Sequence, residues 1–182
     1  MNSHPIICTS DTHFGHANIL TYCPGRQRWA ADIEAMDREL IASWNAMVKP
    51  GAVVLHCGDF AMGPKDDIAR YRAQLNGVIW LVLGNHDRSA SFMKAAGFEV
   101  VAKRMEFSHP TLGAVIARHN PQDFTQEDAE AADWLLHGHC HGERPDPDSL
   151  AAGVPAKAFD IGVDARPPFV SFNAFGPWVL TK

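Results

Sequence analysis

The chain has 182 residues, 46% hydrophobic and 20% charged, with a formal net charge of −5, which suits one domain over residues 1–182 and excludes a disordered or fibrous chain. The acidic balance argues against broad, sequence-independent nucleic-acid binding, so no stable nucleic-acid partner is expected. No apolar run reaches the roughly 20 residues that span a bilayer, and the N-terminus lacks a basic-then-apolar leader; a soluble cytoplasmic protein with no membrane partner follows.

In chain order, residues 5–8 form a short apolar run that reads as a buried strand. From Ala31 to Val48 the apolar residues Ile33, Met36, Leu40, Trp44 and Met47 recur at helical steps, and Lys49-Pro50-Gly51 closes the segment, which predicts an amphipathic helix. A second strand is expected at 52–55. A helix over Lys65–Leu75 is closed by Asn76-Gly77 before a third strand at 78–83. Short helices are expected near Ala90–Ala96 and Gln126–Ala132. Val100–Phe107 and Gly113–Ala117, joined through His109-Pro110-Thr111, resemble a hairpin. A strand follows at 134–136, then a surface loop over Gly142–Pro155, and the segments FDIGVD and FVSFNAF look strand-rich. Helices alternating with strands predict an α/β protein with mixed sheets.

Nearly every apolar run is followed within a few residues by Asp, Asn or His: Asp11 and His13, Asp59, Asn85 and His86, His119, and His139 and His141. Strand ends are where α/β folds bind ligands. Gly58, before Asp59, lets the backbone turn sharply. Carboxylates, an amide and imidazoles together suit Mn, Fe, Zn or Ni better than Ca or Mg, which favour all-oxygen cages. The four cysteines show no CxxC spacing, and no structural disulfide is expected in the cytoplasm.

The ordered motifs DTH, GD, GNHD, an isolated His and GHCH resemble those of the calcineurin-like metallophosphoesterase superfamily. The opening SDTHFGH…YC is similar to a compact bacterial and phage branch of it. The resemblance implies a four-layer α-β-β-α sandwich with two metals at strand ends. Asp11, His13, Asp59 and His141 would hold the first metal and Asp59, Asn85, His119 and His139 the second, with Asp59 bridging. It further implies in-line attack of a metal-bridging hydroxide on a phosphodiester or phosphomonoester, with His86 as the acid for the leaving oxygen. Two divalent cations bring +4, two carboxylates and a hydroxide subtract three, and about +1 is left to attract an anionic ester. Mn is the favoured ion.

His109 rivals His119 for the isolated histidine, but a position in the hairpin turn would keep it away from strand ends. His16 and Arg26 are candidates to contact a small phosphate ester or nucleotide, Arg26 because guanidinium grips phosphate bidentately. His56 and His137 read as structural histidines, and Asp87 as a brace for a neighbouring motif. The competing class is a catalytically silent protein-interaction scaffold on the same fold. A protein phosphatase is disfavoured by the absence of Arg-containing extensions in GDFAMG and GNHDR; a nuclease stays open as an alternative, although neither a second domain nor a basic surface is visible in the sequence.

Overall fold

The computed structural model describes residues 6–28, 30–109, 113–165, 170–171 and 179–180. In chain order come β1 (Ile6–Thr9), α1 (Ile19–Tyr22), a 3-10 turn (Pro24–Arg28), α2 (Ile33–Met47), β2 (Val53–His56), α3 (Lys65–Ala73), β3 (Val78–Val82), α4 (Ala90–Ala95) and β4 (Val100–Ala102). They are followed by β5 (Met105–His109), β6 (Gly113–Ala117), α5 (Gln126–Ala131), β7 (Trp134–His137), α6 (Val154–Lys157), β8 (Ala158–Asp160), β9 (Val170–Ser171) and β10 (Val179–Leu180).

Two five-stranded sheets result, in the orders β4-β3-β2-β1-β9 and β10-β5-β6-β7-β8. In the first, β1 to β4 are parallel, with Ile6 opposite Val53 and Val53 opposite Val78, and β9 is antiparallel. In the second, β6, β7 and β8 are parallel, while β5 pairs antiparallel with both β6 and β10.

The strand period of two sorts side chains to opposite faces. Ile6 and Cys8 of β1, Leu55 of β2 and Val82 of β3 belong to one buried cluster with Phe107, Val115 and Leu136 of the second sheet. Ile7, Val54, Ile79 and Leu81 turn the other way, onto Met36, Leu40 and Trp44 of α2, Ile68 of α3 and Met93 of α4. On the far side, Ile116 and Leu135 meet Ala129 of α5 and Val154 of α6. This is the four-layer α-β-β-α sandwich, and burial on both faces explains why its strands are continuous apolar runs. Asp32 caps α2 by accepting from Ala35 N at 2.7 Å, and Thr125 and Asp128 form a reciprocal capping box on α5.

Two local expectations are corrected, and one stretch left unassigned is filled. The stretch 100–107 is two strands in different sheets: Val100–Ala102 continues the parallel sheet beside β3, and the hairpin partner of β6 starts at Met105. The loop 142–155 contains a 3-10 turn at Pro147–Ser149 and the start of α6. Residues 17–28, unassigned by periodicity, hold α1 and a 3-10 turn. Positions 110–112 of the hairpin and most of FVSFNAF lie outside the described residues. All four cysteines are free. Among the described residues no helix is long and apolar enough to cross a membrane.

Candidate metal centre

The parallel strands deliver their C-terminal loops to one edge of the sandwich. β1 leads to Asp11 and His13, β2 to Asp59, and β3 to Asn85 and His86; β6 leads to His119 and β7 to His139 and His141. Four of the seven expected ligands therefore come from the first sheet and three from the second. The loops after β1 and β2 are stitched together by Asp11 N donating to Gly58 O (3.0 Å), His13 N to Asp59 O (3.1 Å) and Phe14 N to Phe60 O (3.0 Å).

Five non-glycine residues have positive φ among those described: Asp11 (58°), His13 (50°), Asp59 (56°), His139 (70°) and His141 (49°). Every one is an expected ligand. Left-handed backbone costs a residue with a Cβ on the order of 1–3 kcal/mol, and such conformations cluster at functional sites. Glycines permit the close approach around them. A methyl group at Gly84 would overlap the Asp59 carboxylate, and one at Gly138 would overlap the side chains of Ser10 and Asp11.

The side chains converge as two clusters, Asp11 with His13 and His141, and Asp59 with His119 and His139, each with ligand atoms within 4.8 Å of one another. Asp59 Oδ2 joins them, 3.3 Å from His119 Nε2 and 3.7 Å from His13 Nε2. Asn85 Oδ1 lies 3.0 Å from His119 Nε2 and 3.1 Å from His139 Nδ1. Both ring nitrogens of His13 are buried without a hydrogen-bond partner among the described residues. Buried polar atoms rarely stay unpaired, so an orphaned imidazole among carboxylates fits a cation.

Protonation is set by the groups behind the ligands. His119 Nδ1 lies 2.7 Å from the Cys57 carbonyl, which can only accept, so Nδ1 carries the hydrogen and Nε2 faces the cluster. His141 Nδ1 donates in the same way to Asp164 Oδ2 at 2.8 Å. Burial pushes both pKa values down, but the hydrogen bond to Asp59 and its charge hold His119 at about 9, and the hydrogen bonds to Asp164 and Cys23 with the Asp11 charge hold His141 at about 10. Burial lowers His13 to about 2 and raises Asp11 to about 7. Burial also raises Asp59, yet its bond to His119, the His86 N–H at 2.9 Å and the charges around it keep its carboxyl well below the usual range. In the metal-free protein Asp59–His119 and Asp164–His141 are thus ion pairs, which a divalent cation would replace by displacing protons.

His86 lies at the rim, 40% exposed, with Nε2 4.0 Å from Asp59 Oδ2. Together with His13, His16, Tyr22 and His141 it lines an open cleft of about 620 Å³. His16 therefore faces the space where a ligand could lie. Arg26 does not, and its expected role in substrate contact is corrected: it is fully buried, and its guanidinium is consumed by the protein. Nε and Nη2 donate to the two oxygens of Asp164 at 2.8 and 2.6 Å, while Nη1 and Nη2 donate to the carbonyls of Thr12 (3.1 Å) and Asp11 (2.7 Å). Arg26 supports the loop from behind, and Asp164, absent from the sequence expectations, links it to His141. The sole signal for Asp164 was a second Asp following the short apolar stretch of FDIGVD.

Asp87 is a brace, accepting from the backbone N–H groups of Asp59 (2.9 Å), Phe60 (3.0 Å) and Gly84 (2.8 Å). His56 accepts from Gly58 N at Nδ1 (3.2 Å) and so donates from Nε2 to Thr12 Oγ1 (3.0 Å). His137 Nδ1 donates to the Gly138 carbonyl at 2.9 Å. Both are satisfied structural histidines.

A family model for calcineurin-like phosphoesterases matches residues 4–150, and the chain belongs to that family. An uncharacterized protein of Methanocaldococcus jannaschii is 32% identical over 148 residues, covering 80% of this chain and 74% of that protein. The solved structure of a protein of unknown function from Aquifex aeolicus shares the fold, with a TM-score of 0.70 at 21% identity over 92% of this chain and 95% of the other. A structure described as a novel archaeal phosphodiesterase aligns at a TM-score of 0.48 and 20% identity, over 86% and 82% of the two chains.

Proposed function

We propose that the chain, acting as one domain over residues 1–182, is a binuclear metal-dependent phosphoesterase that favours small phosphodiesters, nucleotides included. The observation that carries this reading is the position of Asp59, whose single Oδ2 faces histidines of both ligand clusters. Asp11, His13, Asp59 and His141 would hold one cation and Asp59, Asn85, His119 and His139 the other; the mixed donors suit Mn, with Fe, Zn or Ni as alternatives. Two such cations supply acidified water for in-line attack at phosphorus and neutralise the phosphoryl oxygens.

The chain's own contribution is orientation and proton delivery. Cys57 O and Asp164 fix the tautomers of His119 and His141, and Asp87 locks the loops that carry Asp59 and Asn85. As the bond from phosphorus to the leaving oxygen breaks and one to the water oxygen forms, His86 donates its proton to the leaving oxygen. Its place at the edge of the cleft suits that role, and the openness of the cleft favours esters with substituents on both sides of the phosphate.

The test is hydrolysis of bis(p-nitrophenyl) phosphate and p-nitrophenyl phosphate by metal-stripped protein, with and without Mn. Diester turnover that requires Mn and falls by roughly 10²-fold or more in His86→Ala is expected. Two bound metals with neither ester hydrolysed, or purified protein that binds no metal, would favour the scaffold reading.

A further inference from the structure

The cleft beside His86 is one of two that meet at the centre. The second, about 480 Å³, is floored by Asn85 and His119 and walled by Arg88, Lys103 and Arg118. The first cleft takes in His13 and His141 of the Asp11 cluster and the second His119 of the Asp59 cluster, with His139 shared between them.

The second cleft differs in charge. Arg88 and Lys103 are exposed there, and neither is paired with a carboxylate among the described residues: Arg88 Nη2 donates to the neutral carbonyl of Gly63 at 3.1 Å. Arg118 is held by Asp128 at 3.0 Å and is half-buried, and Asp123 is the exposed acidic group on the wall. Two unneutralised cations in a chain of net charge −5 make a local anion-attracting surface that the overall balance conceals.

We infer that this cleft is a subsite for a second phosphate, so that the substrates are phosphate esters carrying another phosphate beyond the scissile one. The inference rests on the proposed phosphoesterase reading and gives it a direction. His86 belongs to the first cleft, so the leaving group lies there, beside His16 and Tyr22. The second phosphate therefore belongs to the part of the substrate that stays attached to the scissile phosphorus. Arg88 and Lys103 provide the charge-assisted contacts.

The test compares binding of thymidine 3′,5′-bisphosphate and thymidine 5′-monophosphate to Mn-loaded protein by calorimetry at fixed ionic strength. The bisphosphate should bind roughly tenfold more tightly, each exposed charge contact accounting for a few-fold. Lys103→Glu and Arg88→Ala, exposed positions whose variants are checked for folding by circular dichroism, should each shrink that ratio, and the double variant should bring it near one. Equal affinities in the unaltered protein, or a ratio that both variants leave unchanged, would overturn the subsite. The affinity ratio is independent of turnover, so failure of the aryl esters to hydrolyse would count against the phosphoesterase reading and leave this result standing.

Discussion

Replacing Arg26 by Met probes the support behind the centre. The substitution keeps most of the aliphatic volume but leaves the Asp164 carboxylate, 10% exposed, with His141 as its one remaining side-chain partner among the described residues, and frees the carbonyls of Asp11 and Thr12. Removing one member of a buried ion pair costs about 3–5 kcal/mol, and each orphaned carbonyl that water cannot reach adds about 1–3 kcal/mol. Against a total stability on the order of 5–15 kcal/mol the variant should be barely folded. With a urea slope near 2 kcal/mol/M, the unfolding midpoint of the metal-free protein should drop by about 2.5 M or more, read from tryptophan fluorescence, to which the buried Trp44 contributes. Arg26→Lys, which retains charge without the planar fork, should lose about half as much. The double variant Arg26→Met with Asp164→Asn removes both charges and should be more stable than the sum of the single effects requires. Additive losses, or an Arg26→Met midpoint within about 0.5 M of the unaltered protein, would refute the buried-pair argument.

Gly84→Ala, whose methyl would press into the Asp59 carboxylate, should destabilise by about 1–3 kcal/mol and lower metal content measured by mass spectrometry; full metal occupancy would contradict the packing argument. His119→Ala should lose bound metal while His109→Ala should not, and an unchanged metal count in the first would return the isolated ligand to His109. For pH, His119 and His141 are raised above their unfolded value of 6.5, so their stabilisation is complete below pH 6.5 and is lost as pH rises through about 9 and about 10. Asp11, raised to about 7, favours the fold below its unfolded value of 3.8 and loses that contribution as pH rises through 7. The metal-free protein should therefore lose stability from pH 6 to 10 in thermal melts. Mn affinity should rise over the same range, because binding expels those protons; calorimetry in buffers of different ionisation heat would count them, and zero release at pH 7 would exclude the ion pairs.

The central strands β1, β2 and β7 were legible because their residues are almost all buried and so appear as apolar runs, and α2 because Met36, Leu40 and Trp44 repeat at helical spacing. The division of residues 100–107 was not, since Val100 and Met105 are equally apolar and nothing in either side chain records which sheet its backbone pairs with. The ligands stood out because a run of apolar residues ending in Asp, Asn or His is chemically abrupt. Arg26 and Asp164 were harder to read: their roles depend on a contact between residues 138 positions apart, and an arginine near a predicted anion site has the same appearance whether it points into the cleft or holds the loop from below.

The division of the ligands, four on loops of one sheet and three on loops of the other, bears on the order of events in folding. Neither sheet alone can present a complete set for either proposed cation position, since each proposed set combines residues from both. If the proposed residues hold the cations, metal capture would wait until the two inner faces have closed over Phe107, Val115 and Leu136. The rate at which a refolding chain acquires Mn would time that closure, and an ion held across the seam would slow the separation of the sheets without altering any contact in the layers themselves.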